Sequence, residues 1–245
     1  MLKGICILPV IPMRQSQSDK SEMINQVLFG ESFKILDKTK KWTFIELDHD
    51  NYKGWIDNKQ YQELEDDNSN VRISNKKSCI IKINKIKQPL LLGSFIPMNK
   101  KIRTKISLEE ELSFCKMFPF ETWFMKICKK YLNTPYLWGG RSPLGIDCSG
   151  YTQMVYRFFN QQLPRDSHEQ EKKGKEILYL KQSKMGDLVF FKNNNRINHV
   201  GIILKNNRII HASGKVRIDI LDEKGILNID SKIYTHQLNS IKRLI

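Results

Sequence analysis

Nowhere does the 245-residue chain approach the ~20 consecutive apolar residues that a membrane-spanning helix requires. That absence excludes a helical membrane span. Cysteines are few, at positions 6, 79, 115, 128 and 148, and none stands in a CxxC pair or at metal-ligand spacing. An odd, unpaired set excludes a disulfide framework and leaves reduced thiols as the expectation. HExxH is missing, and no His/Cys cluster has zinc-ligand spacing, so neither a metal nor any other cofactor is expected. Internal repeats and low-complexity tracts are also missing, which excludes a solenoid. The opening MLKGICILPVIPM has one lysine, two internal prolines and no small-residue cleavage site after it. It reads as a first strand and not as a secretory signal, and the expected location is the cytoplasm.

Negative charge is in the minority: 26 Asp and Glu stand against 41 Lys and Arg, a formal charge of +15. Such an excess attracts nucleic acid, anionic lipid and acidic small molecules alike. The lysines are scattered, often beside Asn and Ile, and form no basic arm. A solvated basic surface is therefore expected, with no obligate nucleic-acid partner. Hydrophobic residues at 40% and charged residues at 27% suit an ordinary globular chain with one or two cores.

The pattern divides the chain in three. Residues 1–62 carry five short strand-like runs, CILPVIPM, INQVLF, SFKIL, KWTFIELD and YKGWID, between polar or Gly-containing turns. That spacing predicts a small β-barrel, with Trp42 and Trp55 packing in its core. Residues 63–105 read as a connector with some strand content. Residues 106–245 begin with helical patterns near 107–117 and 120–132, the latter spacing Trp123, Phe124, Ile127, Cys128 and Tyr131 on one side. A Gly- and Pro-rich loop (133–147), a further helix, a polar stretch and several strands follow. Helices and then antiparallel strands predict an α+β domain.

Within that domain, Cys148 begins a helix whose Tyr151, Val155, Phe158 and Phe159 share a face. A helix start favours an anion, so the position is expected to lower the thiol pKa. On this ground alone a buried structural cysteine and a reactive one both stand. His199 opens the strand-like HVGIIL and His211 lies in RIIHASG, beyond a turn at Lys205–Asn207. Antiparallel pairing of these runs brings His211 beside His199, so a nucleophile, a base and an orienting group are available for acyl transfer. Each histidine also fits as an ordinary packed residue. His49, His168 and His236 lie in a charged turn, a polar segment and near the C-terminus, and give no comparable constellation.

The motifs TPYLWGGRSPLGIDCSG, LPRDSHEQ, KMGDLVFF, INHVGIIL and RIIHASG stand in the order and spacing of the NlpC-type cell-wall peptidases, papain-like enzymes that this region resembles. In the first sixty residues, SEMINQVLFGE, KKWTFIEL and NYKGWID resemble bacterial SH3-like domains. Together they are similar to the subgroup that cleaves γ-D-glutamyl–diamino acid bonds. The resemblance implies an N-terminal SH3-like β-barrel followed by a papain-like α+β peptidase domain. It implies Cys148 as nucleophile, His199 as base and His211 as orienting group, with Tyr136 lining the site and donating to the oxyanion. It further implies that Asp147 and Ser149 help hold the substrate, Asp147 by pairing with the amine of an N-terminal L-Ala, and that Arg165 and Ser167 meet the D-Glu and diaminopimelate carboxylates. Glu22 and Tyr52 of the barrel are the candidates for closing the amine end, and Asp147 also suits a helix N-cap. The implied partners are small peptides derived from peptidoglycan, in murein recycling. A silent binding module for wall polymer or nucleic acid, and a related amidase or acyltransferase, are the alternatives.

Overall fold

The computed structural model describes residues 2–64, 71–98, 106–108, 120–194 and 196–245. The helix expected near 107–117 falls almost wholly outside them, as does Cys115. No described helix is long and apolar enough to cross a membrane. The chain forms two compact units: Met1–Phe118 with Trp138–Pro143, and Pro119–Leu137 with Leu144–Ile245.

In the first unit, β1 (Lys3–Cys6), β2 (Val10–Arg14), β3 (Met23–Leu28), β4 (Ser32–Lys38), β5 (Trp42–Leu47), β6 (Lys53–Asp57) and β7 (Tyr61–Leu64) form one antiparallel sheet in the order β3-β2-β6-β5-β4-β1-β7. The expected opening strand is in fact two, divided at Leu8–Pro9, where proline supplies no N–H for a ladder. Alternating residues Ile11, Met13, Phe33, Ile35, Ile45, Leu47 and Ile56 build the core. Trp42 is buried, and Trp55 packs against Phe44 with ring centroids 5.0 Å apart.

Of the stretch read as a connector, residues 71–98 are folded. The strands β8 (Val71–Ile73) and β11 (Phe95–Pro97) pair, while β9 (Ser78–Ile83) pairs with β10 (Ile86–Leu91) and with β12 (Ile106–Leu108). Cys79, Ile81, Leu90, Ile96 and Ile106 close a second core over Phe29. The same unit takes in Trp138–Pro143, a segment with the sequence WGGRSP. There Arg141, fully buried, meets Glu31 at 3.0 and 3.1 Å and the backbone carbonyl of Gln26 at 2.9 Å. Glu31 is equally buried and accepts the N–H of Leu28 at 2.9 Å, so both charges are compensated.

The second unit contributes α1 (Phe120–Lys130), α2 (Cys148–Arg157) and the short α3 (Ser167–Gln170). The helix expected over 120–132 is α1, with Phe124, Ile127 and Cys128 buried. The helix α2 is not amphipathic: all ten of its residues are buried. Among its polar members, Thr152 donates to Gln170 at 2.7 Å and Gln153 to the carbonyl of Leu163 at 2.9 Å. The short strand β13 (Arg141–Ser142) lies in the segment that belongs to the first unit; in the second unit, β14 (Gly145–Ile146) is followed by β15 (Lys175–Glu176), β16 (Leu188–Asn193), β17 (Arg196–Leu204), β18 (Arg208–Ser213), β19 (Lys215–Asp222), β20 (Gly225–Leu227) and β21 (Tyr234–Arg243). The sheet order is β15-β21-β16-β17-β18-β19-β20, and β20 also pairs with β21, so six strands close on themselves. Val189, Phe191, Ile203, Ile209, Leu221, Ile226 and Ile241 fill one face.

Removing one member of a buried ion pair leaves an uncompensated charge. Glu31→Gln is expected to destabilise the protein by about 3–5 kcal/mol, read from urea unfolding. A loss below about 1 kcal/mol would show that the Arg141–Glu31 pair is not a keystone of this unit.

Candidate active site

Register places the site side chains. Gly201 of β17 faces His211 of β18, and Ile209 of β18 faces Asp219 of β19. His199 lies two residues before Gly201 and His211 two after Ile209, so side-chain alternation puts His199, His211 and Asp219 on one face, each diagonal to the next. A side chain at Gly201 would lie 3.0 Å from the Cβ of His211 and 2.6 Å from Ile209, so glycine there leaves the space for the two rings. His236 joins the same face from β21, since Leu221 pairs with Ile226 and Ile226 with His236.

The resulting contacts form a chain. His199 Nε2 lies 2.8 Å from His211 Nδ1, and His211 Nε2 lies 2.9 Å from Asp219 Oδ2. Asp219 is buried, which by itself would raise its pKa. Hydrogen bonds from His211, from Arg217 at 2.7 and 2.9 Å and from the N–H of Ile229 at 3.0 Å instead hold it well below the usual carboxylate range. Burial lowers the pKa of both His199 and His211 and keeps the rings neutral. These protonation states fix the tautomers. An ionised Asp219 accepts the Nε2 proton of His211, so His211 Nδ1 accepts the Nε2 proton of His199. The lone pair of His199 Nδ1 is then available to take a proton. His236 covers the other side of the His199 ring, stacked with centroids 4.1 Å apart and planes at 26°. Among the described residues no group of three His, Cys, Asp or Glu could hold a metal ion.

Cys148 is the first residue of α2, and Asp147 is its N-cap, accepting the Gly150 N–H at 2.7 Å. The backbone N–H groups of Val200, the residue after His199, and of Ser149 are close enough to the Cys148 thiol to oppose the rise in its pKa. The lowered thiol pKa expected of a helix start is not what this site produces. Burial, and then the negative charge of Asp147, push the thiol up to about 12 against the smaller opposing effects of Val200, Arg165 and Ser149. At 5% exposure, desolvation outweighs the helix terminus. The resting pair is thus a neutral thiol and a neutral imidazole.

Around Cys148, Arg165 donates to Asp147 Oδ1 and to Ser149 Oγ, each at 3.0 Å, and to Asp147 Oδ2. Arg165 is 2% exposed, so its guanidinium is turned to this pair and not outward to a ligand carboxylate as expected; the reason is the charge of Asp147, which is itself buried. Tyr136 is more open, and burial, Cys148 and Asp147 all raise its phenol pKa, which keeps the hydroxyl a donor. Ser167 is half-buried and begins α3. Glu22 and Tyr52 belong to the first unit, where Glu22 accepts from the indole of Trp138 and Tyr52 packs on the barrel core. Sequence reading missed Asp219, Arg217 and His236. A lone aspartate in the apolar run VRIDI beside the histidine strand was the available signal for the first.

A thiol and a polarised histidine relay are the equipment of nucleophilic acyl transfer. Residues 133–238 match the NlpC/P60 family, and residues 13–60 match the bacterial dipeptidyl-peptidase Sh3 domain. The chain carries an NlpC/P60 domain behind an SH3-like barrel. A γ-D-glutamyl-L-lysine dipeptidyl-peptidase of Bacillus subtilis is 34% identical over 118 residues, 46% of this chain and 37% of that protein. The chain therefore spans little more than a third of that relative's length. One of the same name from Bacillus cereus is 24% identical over 233 residues, 80% of this chain and 68% of that protein. The crystal structure of an NlpC/P60 family protein from Bacillus cereus superposes with a TM-score of 0.83 at 19% identity, covering 98% of this chain and 99% of that one. It shares the fold.

Because the free thiol is neutral, alkylation of Cys148 by iodoacetamide, followed by peptide mass spectrometry, is expected to accelerate with every unit of pH from 6 to 9 without levelling. A rate plateau below pH 7 would mean a preformed thiolate–imidazolium pair and would overturn this assignment.

Proposed function

We propose that the chain is a cysteine peptidase that hydrolyses the amide between the γ-carboxyl of D-Glu and a diamino acid, in peptidoglycan-derived peptides that begin with a free L-Ala. Its role is the recycling of such murein peptides. The observation that carries the reading is the Asp219–His211–His199 relay, with the backbone of Val200, the residue after His199, next to the Cys148 thiol at the head of α2. The substrate follows from the names of the Bacillus relatives and from the pairing of an SH3-like barrel with an NlpC/P60 domain.

In this mechanism the Cys148 sulfur attacks the γ-carbonyl carbon while its proton passes to His199 Nδ1. The ring becomes an imidazolium only then, and His211 and Asp219 compensate its charge through the hydrogen bonds already in place. The carbonyl oxygen, now an oxyanion, accepts from the backbone N–H of Cys148 and from the Tyr136 hydroxyl. The C–N bond breaks as His199 returns the proton to the leaving amine, and a thioester remains on Cys148. Water, deprotonated by His199, releases the L-Ala-γ-D-Glu dipeptide. Asp147 faces the substrate amine in addition to capping α2, its charge tempered by Arg165, while Ser149 and Ser167 supply hydroxyls to the D-Glu and diamino-acid carboxylates.

Mass spectrometry of L-Ala-γ-D-Glu-diaminopimelate, its L-Lys counterpart and an N-acetylated copy tests the proposal directly. Wild type is expected to cut the free-amine peptides at the γ-amide and to spare the acetylated one, and Cys148→Ala to cut none. Equal cleavage by Cys148→Ala would refute the mechanism, and cleavage of the acetylated peptide would refute the free-amine requirement. Asp219→Asn removes the anion that orders the tautomers, so kcat is expected to fall about 10²–10⁴-fold with KM nearly unchanged. A kcat within about twofold of wild type would remove Asp219 from the relay.

A further inference from the structure

At the ends of three neighbouring strands of the second unit lies a cleft of about 570 Å³. Lys192 and Asn193 of β16, Asn194 beyond them, Asn198 of β17, and Thr235, His236 and Gln237 of β21 line it. Register brings these together, since Lys192 faces Ile197 on one side and Gln237 on the other. The volume suits a short peptide segment. Its walls carry amide groups, a hydroxyl, an imidazole and one lysine cation, and no carboxylate. Such a lining donates hydrogen bonds and charge to an anion, and to a carboxylate above all.

One wall fixes the cleft's relation to the chemistry. His236 lines the cleft and also stacks on His199 at 4.1 Å, so the cleft lies one ring away from the base. The Nδ1 of His236 is engaged with the Thr235 hydroxyl at 2.9 Å, which orients the ring. In acyl transfer the base returns as the acid that protonates the leaving nitrogen, so the leaving half of a substrate departs on the histidine side. A peptide residue spans about 3.3–3.6 Å, so the end of a leaving residue reaches past one ring.

We propose that this cleft is the leaving-group subsite, and that it takes the free carboxylate of the residue or short peptide C-terminal to the scissile bond, with Lys192 as the cation that reads it. The proposal rests on the peptidase reading above and gives the leaving half of the substrate a cationic partner, which that reading lacks.

The test compares L-Ala-γ-D-Glu-L-lysine with its C-terminal carboxamide, in wild type, Lys192→Gln and Lys192→Glu. L-Ala-γ-D-Glu 4-nitroanilide, which lacks the leaving carboxylate, is assayed with wild type. Wild type is expected to prefer the acid over the amide in kcat/KM by about tenfold, the worth of one charge-assisted contact. Lys192→Gln should lose most of that preference and Lys192→Glu should reverse it. The readout is a ratio within one protein, so a general loss of folded enzyme does not imitate it. An unchanged ratio in both variants, with wild type cleaving peptide and anilide, would overturn the subsite and leave the peptidase reading standing. Failure of wild type to cleave either would overturn both.

Discussion

The ionised carboxylate of Asp219 is the constraint on which the reactive arrangement depends. Two neutral imidazoles in series have several tautomeric arrangements, and only one leaves the outer nitrogen of His199 bare. A buried anion selects it, because His211 must then donate outward and His199 must donate to His211. Keeping Asp219 ionised at 1% side-chain exposure requires its own partners, which are Arg217 and the N–H of Ile229. Five groups on β17, β18, β19 and the turn after β20 are thereby tied to one proton position.

The same burial gives the site its resting state. A helix start stabilises a thiolate through its free N–H groups, worth about 1 kcal/mol or less near a surface. Complete desolvation of a small anion costs several times more. The balance leaves the Cys148 thiol protonated at rest. Asp147 has a divided task in this scheme: it caps α2, raises the neighbouring thiol by its charge, and is itself neutralised by Arg165.

The N-terminal unit solves a related problem with a different pair. The WGGRSP segment, a few residues ahead of Cys148, is held in the first unit by Arg141 against Glu31 and Gln26. Nothing in the local sequence distinguishes Arg141 from a surface arginine in a Gly-rich loop, because its partner is 110 residues away. Composition likewise hid the folding of residues 71–98, whose strands are short and whose core borrows Phe29 from the barrel.

The sequence by itself determined what is local. Alternation located the barrel strands, helical spacing located α1 and the start of α2, and an aspartate before Cys148 announced the cap that the structure contains. Two histidine strands across a short turn were enough to place His211 beside His199, because antiparallel register follows from chain connectivity. Tertiary structure alone decided the rest. Asp219 joins the histidines through the pairing of β18 with β19, and His236 joins only because the strands close on themselves, which aligns residues far apart in the chain on one face. The protonation state of Cys148 was decided by how completely the fold removes water from a helix end, and desolvation is a property of everything packed around a group, not of the residues beside it in sequence.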